Sequence, residues 1–341
     1  MRNPLIAAAL LALSTFTLAA PPAARFKVQD TWKLGGDGSW DYLTVDSSAH
    51  LLYIARLTRI MVVDTATGKL VTEISGLEHA HGVALAGDGN RGYISDGDAE
   101  KVLVFDRSSH KIIGSIPAGK NPDSILLEPS RNLLFAFNGR SNSATVADAS
   151  RNTVLSTLPL PGKPEFSVTD GEGNVFVNIE DTSQVLRIDA ASLQITASWP
   201  LAPCKAPSGL AIDRSHHRLF SVCDNQKMAV VDSTTGKLVA TVPIGEGADA
   251  VAYDDSRSLI FTSNGESGNL SVIQQVSPER YTVLQTVPTK MGARTLAVDS
   301  SNGAVYTVSA KLGPKPPATK VNPKARPPII PDSFVVLVLR Q

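Results

Sequence analysis

HGVALAGDGNRGYISDGDAEKVLVFDRSSHKIIGSI, residues His81–Ile116, holds four short apolar runs, three of them closed by a turn. Val83-Ala84-Leu85 is followed by Gly87-Asp88-Gly89-Asn90, and Gly92-Tyr93-Ile94-Ser95 by Asp96-Gly97-Asp98-Ala99. Val102-Leu103-Val104-Phe105 is followed by Asp106–His110, and Ile112–Ile116 completes the unit. Apolar runs this short, bounded by Gly, Asp and Asn, suit strands and not helices. One unit therefore predicts four antiparallel strands.

The unit recurs. A polar dipeptide opens each first strand at Asp41-Tyr42, His81-Gly82, Asp123-Ser124, Glu165-Phe166, Ser208-Gly209, Asp249-Ala250 and Arg294-Thr295. The steps are 40, 42, 42, 43, 41 and 45 residues. Four strands at this period predict an all-β propeller, here with seven blades of four antiparallel strands starting near 41, 81, 123, 165, 208, 249 and 294. The last unit offers Leu296–Val298, Ala304–Ser309 and Ser333–Leu339, one strand short. Phe26–Trp32 belongs to no other unit, so it is expected to complete the last blade, closing the ring and removing open sheet edges.

The hairpin of third and fourth strands is the most regular element. It reads VVDTATGKLVTEI from Val62, VFDRSSHKIIGSI from Val104, RIDAASLQITASW from Arg187 and VVDSTTGKLVATV from Val230. Its Asp can bond its own turn backbone, and its Gly can take positive φ. We read stability and no chemistry from it.

With Tyr53-Ile54-Ala55, Phe135-Ala136-Phe137-Asn138, Phe261-Thr262-Ser263-Asn264 and Tyr306-Thr307-Val308 as second strands, and joints such as Ile116-Pro117-Ala118-Gly119-Lys120-Asn121-Pro122-Asp123, the chain resembles the YVTN family of propeller repeats. The resemblance covers nearly all of the chain after the leader. It implies an exported propeller; the family includes binding, surface and DNA-binding proteins, and related propellers include enzymes, so it does not fix an activity.

The first residues read as a leader. Arg2 precedes an apolar stretch, Leu5–Leu18, and Thr17-Leu18-Ala19 offers small residues near a cleavage point. Residues 1–24 are thus expected to be a signal peptide and 25–341 a single propeller, periplasmic or secreted, with no membrane span after cleavage and read as a monomer. Cys204 precedes the first strand of its unit and Cys223 ends the second. Antiparallel pairing brings those ends together, so an oxidising compartment should join them. Lys+Arg 32 against Asp+Glu 32 gives zero formal charge, which argues against a general nucleic-acid binder.

In a four-stranded blade the first strand lies nearest the axis. The residues opening it should ring one mouth of the channel, the top: Asp41, His81, Asp123, Glu165, Ser208, Asp249 and Arg294. The ends of second strands come alongside: Arg56, Asp96, Asn138, Asn178, Glu180, Asp224, Asn264 and Lys311. Asp41, His81, Asp123, Glu165, Asp249, Arg294, Asn138, Asn178 and Asn264 are the ligand candidates. Asp123, Glu165, Asn178 and Asp249 are oxygen donors of the kind Ca²⁺ or Mg²⁺ takes. His79 and His81 stand two apart on one side of a strand, while His50, His110, His216 and His217 fall in turns of the opposite face. Asp46, Asp170, Asp213, Asp254 and Asp299, at the bottom, read as turn caps. Gly313–Pro331, rich in Pro and carrying Lys315, Lys320, Lys324 and Arg326, is an insertion into the top face.

These features support first a binding protein that takes a small molecule, a cation or an envelope protein at its top mouth. The alternative is a divalent-cation-dependent lactonase-like hydrolase or lyase, with His81 as base and Arg294 stabilising an oxyanion. Single-stranded nucleic-acid binding is a third reading, disfavoured by the charge balance. No phosphate-binding Gly loop, nucleophile elbow or zinc-type Cys/His spacing is present.

Overall fold

The computed structural model describes residues 25–87, 89–317 and 327–341. The expected leader lies outside them, as do Lys320, Lys324 and Arg326 of the insertion. Among the described residues every regular element is a strand. β1 (Lys27–Lys33) comes first. β2 (Leu43–Asp46), β3 (Leu51–Asp64), β4 (Leu70–Leu85), β5 (Arg91–Asp96), β6 (Lys101–Asp106) and β7 (Ile112–Pro117) form one six-stranded sheet in that order. Four-stranded sheets follow: β8 (Pro122–Glu128), β9 (Leu133–Asn138), β10 (Ser143–Asp148) and β11 (Thr153–Pro159); then β12 (Pro164–Thr169), β13 (Asn174–Ile179), β14 (Gln184–Asp189) and β15 (Gln194–Pro200). β16 (Pro207–Asp213), β17 (Arg218–Cys223), β18 (Lys227–Asp232) and β19 (Leu238–Pro243) form the next, and β20 (Ala248–Asp254), β21 (Leu259–Asn264), β22 (Asn269–Ser277) and β23 (Arg280–Pro288) another. β24 (Leu296–Asp299), β25 (Ala304–Ser309) and β26 (Val335–Arg340) make the last sheet together with β1.

The expectation of seven separate four-stranded blades is corrected. The ring contains six sheets, because the first two sequence units share one. The first half of β3 pairs with β2, from Leu43↔Ile54 to Asp46↔Leu51, and its second half pairs with β4. β4 then continues past the bulge at Leu57↔Ala80 and pairs with β5. The cause lies in the joints between units. Later ones carry Pro117 and Pro122, Pro159, Pro161 and Pro164, Pro200, Pro203 and Pro207, Pro243, or Pro288. Proline lacks the N–H a ladder needs and ends it. The first joint, Ser75-Gly76-Leu77-Glu78-His79-Ala80, has no proline, and the ladder runs through.

Closure is by the expected strand. β1 pairs antiparallel with β26 from Lys27↔Arg340 to Lys33↔Val335. Phe26 packs edge-on against Phe261 at 5.1 Å, and Trp32 lies 5.6 Å from Tyr306. Burying one such ring stabilises by roughly 1.5–3 kcal/mol. Between the first and last units, Trp40, Ile54 and Val63 pack with Tyr306, Val308, Phe334 and Val336. Arg56 locks this seam. It is fully buried, its guanidinium lies 3.6 Å from the Phe334 ring centre, and it donates to the carbonyls of Ser39 (3.2 Å), Asp37 (2.6 Å) and Gly38 (3.2 Å). Burial and the nearby Arg59 lower its pKa to about 10. Arg56 is thus a bracket for the loop of residues 34–40, which turns through positive φ at Gly35, Gly36 and Gly38.

The innermost strands neighbour one another in order around the axis: β2, the end of β4, β8, β12, β16, β20, β24, and again β2. A seam of polar bonds stitches them. Tyr42 N donates to His81 O (3.1 Å), Ser95 Oγ to Asp123 O (2.6 Å), and Ser124 Oγ meets Ser167 Oγ (2.8 Å). Asn178 Nδ2 donates to Ser208 O (2.9 Å), Ser208 Oγ to Asp249 O (3.3 Å), Ser263 Oγ to Arg294 O, and Thr295 Oγ1 to Asp41 O (2.9 Å). The seam returns to its origin, so residues spread over more than 250 positions of chain share one rim.

Candidate functional site

Each residue opening an innermost strand stands on this rim, and charge nearly alternates around it. His81 Nδ1 lies 2.7 Å from Asp41 Oδ2 and 3.6 Å from Asp123 Oδ1. Arg294 Nε lies 2.8 Å from Asp249 Oδ2, its Nη2 donates to Trp40 O (2.6 Å), and it stands 4.0 Å from Asp41 Oδ1. Ser208 Oγ donates to Asp249 Oδ1 (2.6 Å). Lys163, just before Glu165, bridges Glu165 Oε1 and Glu180 Oε2, both at 2.5 Å. The alternation fails twice: Ser208 is neutral between Glu165 and Asp249, and one step earlier two carboxyls follow one another. Asp123 and Glu165 occupy consecutive rim positions; Lys163 bonds Glu165, and only its field reaches Asp123.

The electrostatics follow. Burial raises the Glu165 carboxyl to about 8, with Asp123 adding to it against the opposing pull of Lys163. Burial likewise lifts Asp123 to about 6; His81 and Lys163 pull it down while Asp41 and Asp249 push it up. Burial opposes charge on His81, yet Asp123 and Asp41 outweigh it and raise the imidazole to about 9. Desolvation works against the Arg294 charge, but Asp249 and Asp41 hold its pKa above the usual value.

The floor is aromatic. Tyr42 and Phe166, one residue below Asp41 and Glu165, meet edge to face across the axis at 4.9 Å. Burial raises the Tyr42 pKa well above 10, and Asp123, Glu165, Asp41 and Asp249 all add to it. Four carboxylates therefore surround one phenol over a plugged channel. Elsewhere on the ring, Gly209 lets β16 approach β20: a Cβ there would stand 2.8 Å from Ala250 Cα.

The oxygen donors proposed for Ca²⁺ or Mg²⁺ are not gathered at one point. Asp249 is bound by Arg294 and Ser208. Asn178 is fully buried, donating to Ser208 O and Gly209 O and accepting from Ser221 Oγ. Asn138 and Asn264 are also fully buried: Asn138 donates to Ser143 Oγ (3.0 Å) and Thr145 Oγ1 (3.1 Å), Asn264 to Asn269 Oδ1 (2.7 Å) and Ser271 Oγ (2.9 Å). These three amides brace the turns behind the rim. Asp96 does the same by accepting from the backbone N–H groups of Glu78 (3.1 Å) and His79 (2.7 Å). The donor atoms of Asp41, His81 and Asp123, by contrast, all lie within 4.8 Å of one another. His79 stacks on His81 at 4.4 Å but turns its Nδ1 to Asp98, 3.3 Å away.

Cys204 and Cys223 form a disulfide, with Cα atoms 5.7 Å apart. It ties the loop before β16 to the end of β17, beside a shallow top-face groove of about 730 Å³ running from Glu180 to Ala206. At the bottom, Asp46 pairs with Arg107, Asp213 with His216 (2.7 Å) and Gln275 (2.8 Å), and Asp254 with Arg257, while Asp299 accepts from Ser47 (2.7 Å). Those Asp residues are fasteners. The described ends of the insertion zip together: Leu312 bridges Ile329, and Gly313 N donates to Pro328 O (2.8 Å). Lys163, Tyr42 and the bridging Ser95 and Ser263 escaped the sequence reading. Lys163 is offset two residues from the repeating position, and the others look like ordinary strand residues.

No protein-family profile matches the chain, and no curated protein matches it in sequence. Among solved structures it is similar to the Kuenenia stuttgartiensis hydrazine synthase, at 15% identity and TM-score 0.68 over 78% of this chain and 91% of that one. It is similar to the WD40 repeats of RRP9, at 13% identity and TM-score 0.77 over 94% and 99% of the two chains. U3-55K gives 13% identity and TM-score 0.76 over 91% and 99%. Identities this low carry the fold alone: the chain is a closed, repeat-built β-propeller of WD40-like architecture.

Proposed function

We propose that this propeller is an exported binding protein of the YVTN type that takes a small positively charged molecule in its top mouth. The observation that carries this reading is the break in the ring of charges at Asp123 and Glu165. Two adjacent rim carboxyls, both raised by burial, follow one another with no cationic rim position between them; Lys163 is shared by Glu165 and Glu180, and His81 lies 3.6 Å from Asp123. A ligand cation placed there separates the two carboxyls, and the neighbouring aromatic pair Tyr42–Phe166 favours an organic ammonium. The rigid ring and polar seam hold the carboxyls apart in advance of binding, so little ordering is needed when the ligand arrives. Export is supported by the disulfide, a feature of oxidising compartments, and by the apolar leader. Among the described residues no helix is long and apolar enough to cross a membrane.

The test is a melting-temperature screen with primary, secondary and quaternary amines, followed by calorimetry on the hits. A ligand present at 100 times its Kd should stabilise by about 2.7 kcal/mol. Binding should be lost in Asp123→Asn. A screen in which anions stabilise and amines do not would remove the reading.

A further inference from the structure

We propose that Asp41, His81 and Asp123 form a site for one divalent transition-metal ion. The inference concerns the same mouth as the function proposed above, but a different ligand set and a different class of cation. Three inner strands of the ring contribute. Asp41 precedes β2, His81 lies in β4 and Asp123 in β8, and each offers one donor atom, all within 4.8 Å of one another. The His81 side chain is only 8% exposed and its Nδ1 faces both carboxylates. Asp123 Oδ1 is buried and accepts no hydrogen bond, with the His81 imidazole 3.6 Å away as its ion-pair partner, so it is short of the donor that burial demands.

Bond lengths of about 2.0–2.2 Å around zinc put neighbouring ligand atoms roughly 3.3–3.5 Å apart. The imidazole nitrogen stands 2.7 Å from one carboxylate oxygen and 3.6 Å from the other, and no two of the three donors are more than 4.8 Å apart, so side-chain adjustments of about 1 Å admit the ion. The nearest competing cation, Arg294, is held by Asp249 and the Trp40 carbonyl and stands 4.0 Å from Asp41. One nitrogen and two carboxylates select Zn²⁺, Co²⁺, Mn²⁺ or Fe²⁺ over Ca²⁺, which takes six to eight oxygens. Three protein ligands leave a coordination position open, the arrangement of sites that bind a further molecule. An ion bound at Nδ1 takes that nitrogen's lone pair, and any proton held there leaves to solvent.

The experiment uses the purified protein treated with a chelator and then dialysed free of it. Calorimetric titration with Zn²⁺ in two buffers of different ionisation enthalpy reads stoichiometry and proton release, and titration with Co²⁺ reads the ligand field. The expected result is one ion per chain. His81→Gln and Asp123→Asn should each weaken Zn²⁺ binding at least tenfold while still melting cooperatively. Glu172→Gln, in an exposed turn of the opposite face, should change Zn²⁺ affinity less than twofold. The inference is overturned if neither ion binds, if His81→Gln binds Zn²⁺ as tightly as the parent, or if Ca²⁺ stabilises the protein and Zn²⁺ does not. Amine binding in the screen above without metal uptake sinks this inference and leaves the function proposed there standing.

Discussion

Replacing Glu165 with glutamine should make the protein more resistant to alkali. The Glu165 carboxyl titrates near 8 in the folded chain because burial and Asp123 disfavour its charge, against an ordinary value of 4.5. A folded-state pKa above the unfolded one means that the native protein holds the proton more tightly. That contribution to stability is fully present below about 4.5 and is lost as pH rises through 8. Each pH unit between the two values is worth about 1.4 kcal/mol, so the whole loss has a ceiling of about 5 kcal/mol. Glutamine keeps the shape of the neutral acid and cannot ionise. Thermal melts of parent and Glu165→Gln at intervals from pH 4 to 9 give the difference directly. The variant should gain on the parent steadily above pH 5, by several kcal/mol at pH 9, with the gap closing toward pH 4. Melting curves that shift in parallel across the whole range would refute the reasoning, because they would mean that Glu165 titrates alike in both states.

His81 supplies a second profile of stability against pH. Its imidazole is raised from 6.5 to about 9, so its stabilisation is present below 6.5 and lost as pH rises through 9. His81→Gln should therefore cost about 3 kcal/mol more at pH 6 than at pH 9.5 in urea melts. Opening the Cys204–Cys223 bridge, which spans 19 residues, should lower stability by about 3 kcal/mol on the chain-entropy model, as chemical denaturation of Cys204→Ser with Cys223→Ser would show. Arg56→Ala strands the carbonyls of Asp37, Gly38 and Ser39 in the closing seam, at a cost of about 3 kcal/mol or more. Arg56→Lys should recover little of this, since an ammonium cannot reproduce the guanidinium fork. Deleting Lys27–Lys33 bares the edge of β26 and should yield oligomers on size-exclusion chromatography.

Periodicity carried most of the fold. The polar dipeptides opening each unit and the Asp-closed hairpins marked strand positions well, as β5, β6 and β7 show against the runs read from Gly92, Val102 and Ile112. The closing role of Phe26–Trp32 followed from counting strands. The number of separate sheets did not follow, because a repeat count is blind to whether a ladder breaks between units. The absent proline in Ser75–Ala80 was the available signal, beside Pro117 and Pro122 one unit later. At the mouth, the repeat placed Asp41, His81, Asp123, Glu165, Asp249 and Arg294 on one rim. Sequence could not tell donors facing the axis from amides turned into the wall. Asn138, Asn178 and Asn264 end their strands as ligands might, yet each is consumed by turn backbone or by Ser and Thr hydroxyls. The plug formed by Tyr42 and Phe166 depends on which units face each other across the ring, and that is a property of closure.

A double-mutant cycle on Asp41→Asn and His81→Gln tests convergence on a common mouth most directly. These residues lie 40 positions apart in the chain and 2.7 Å apart in space. Denaturant melts of the parent, both single variants and the double variant at pH 7 should give a coupling free energy of about 1–3 kcal/mol. Additive effects, with coupling indistinguishable from zero, would contradict the mouth and everything argued from it.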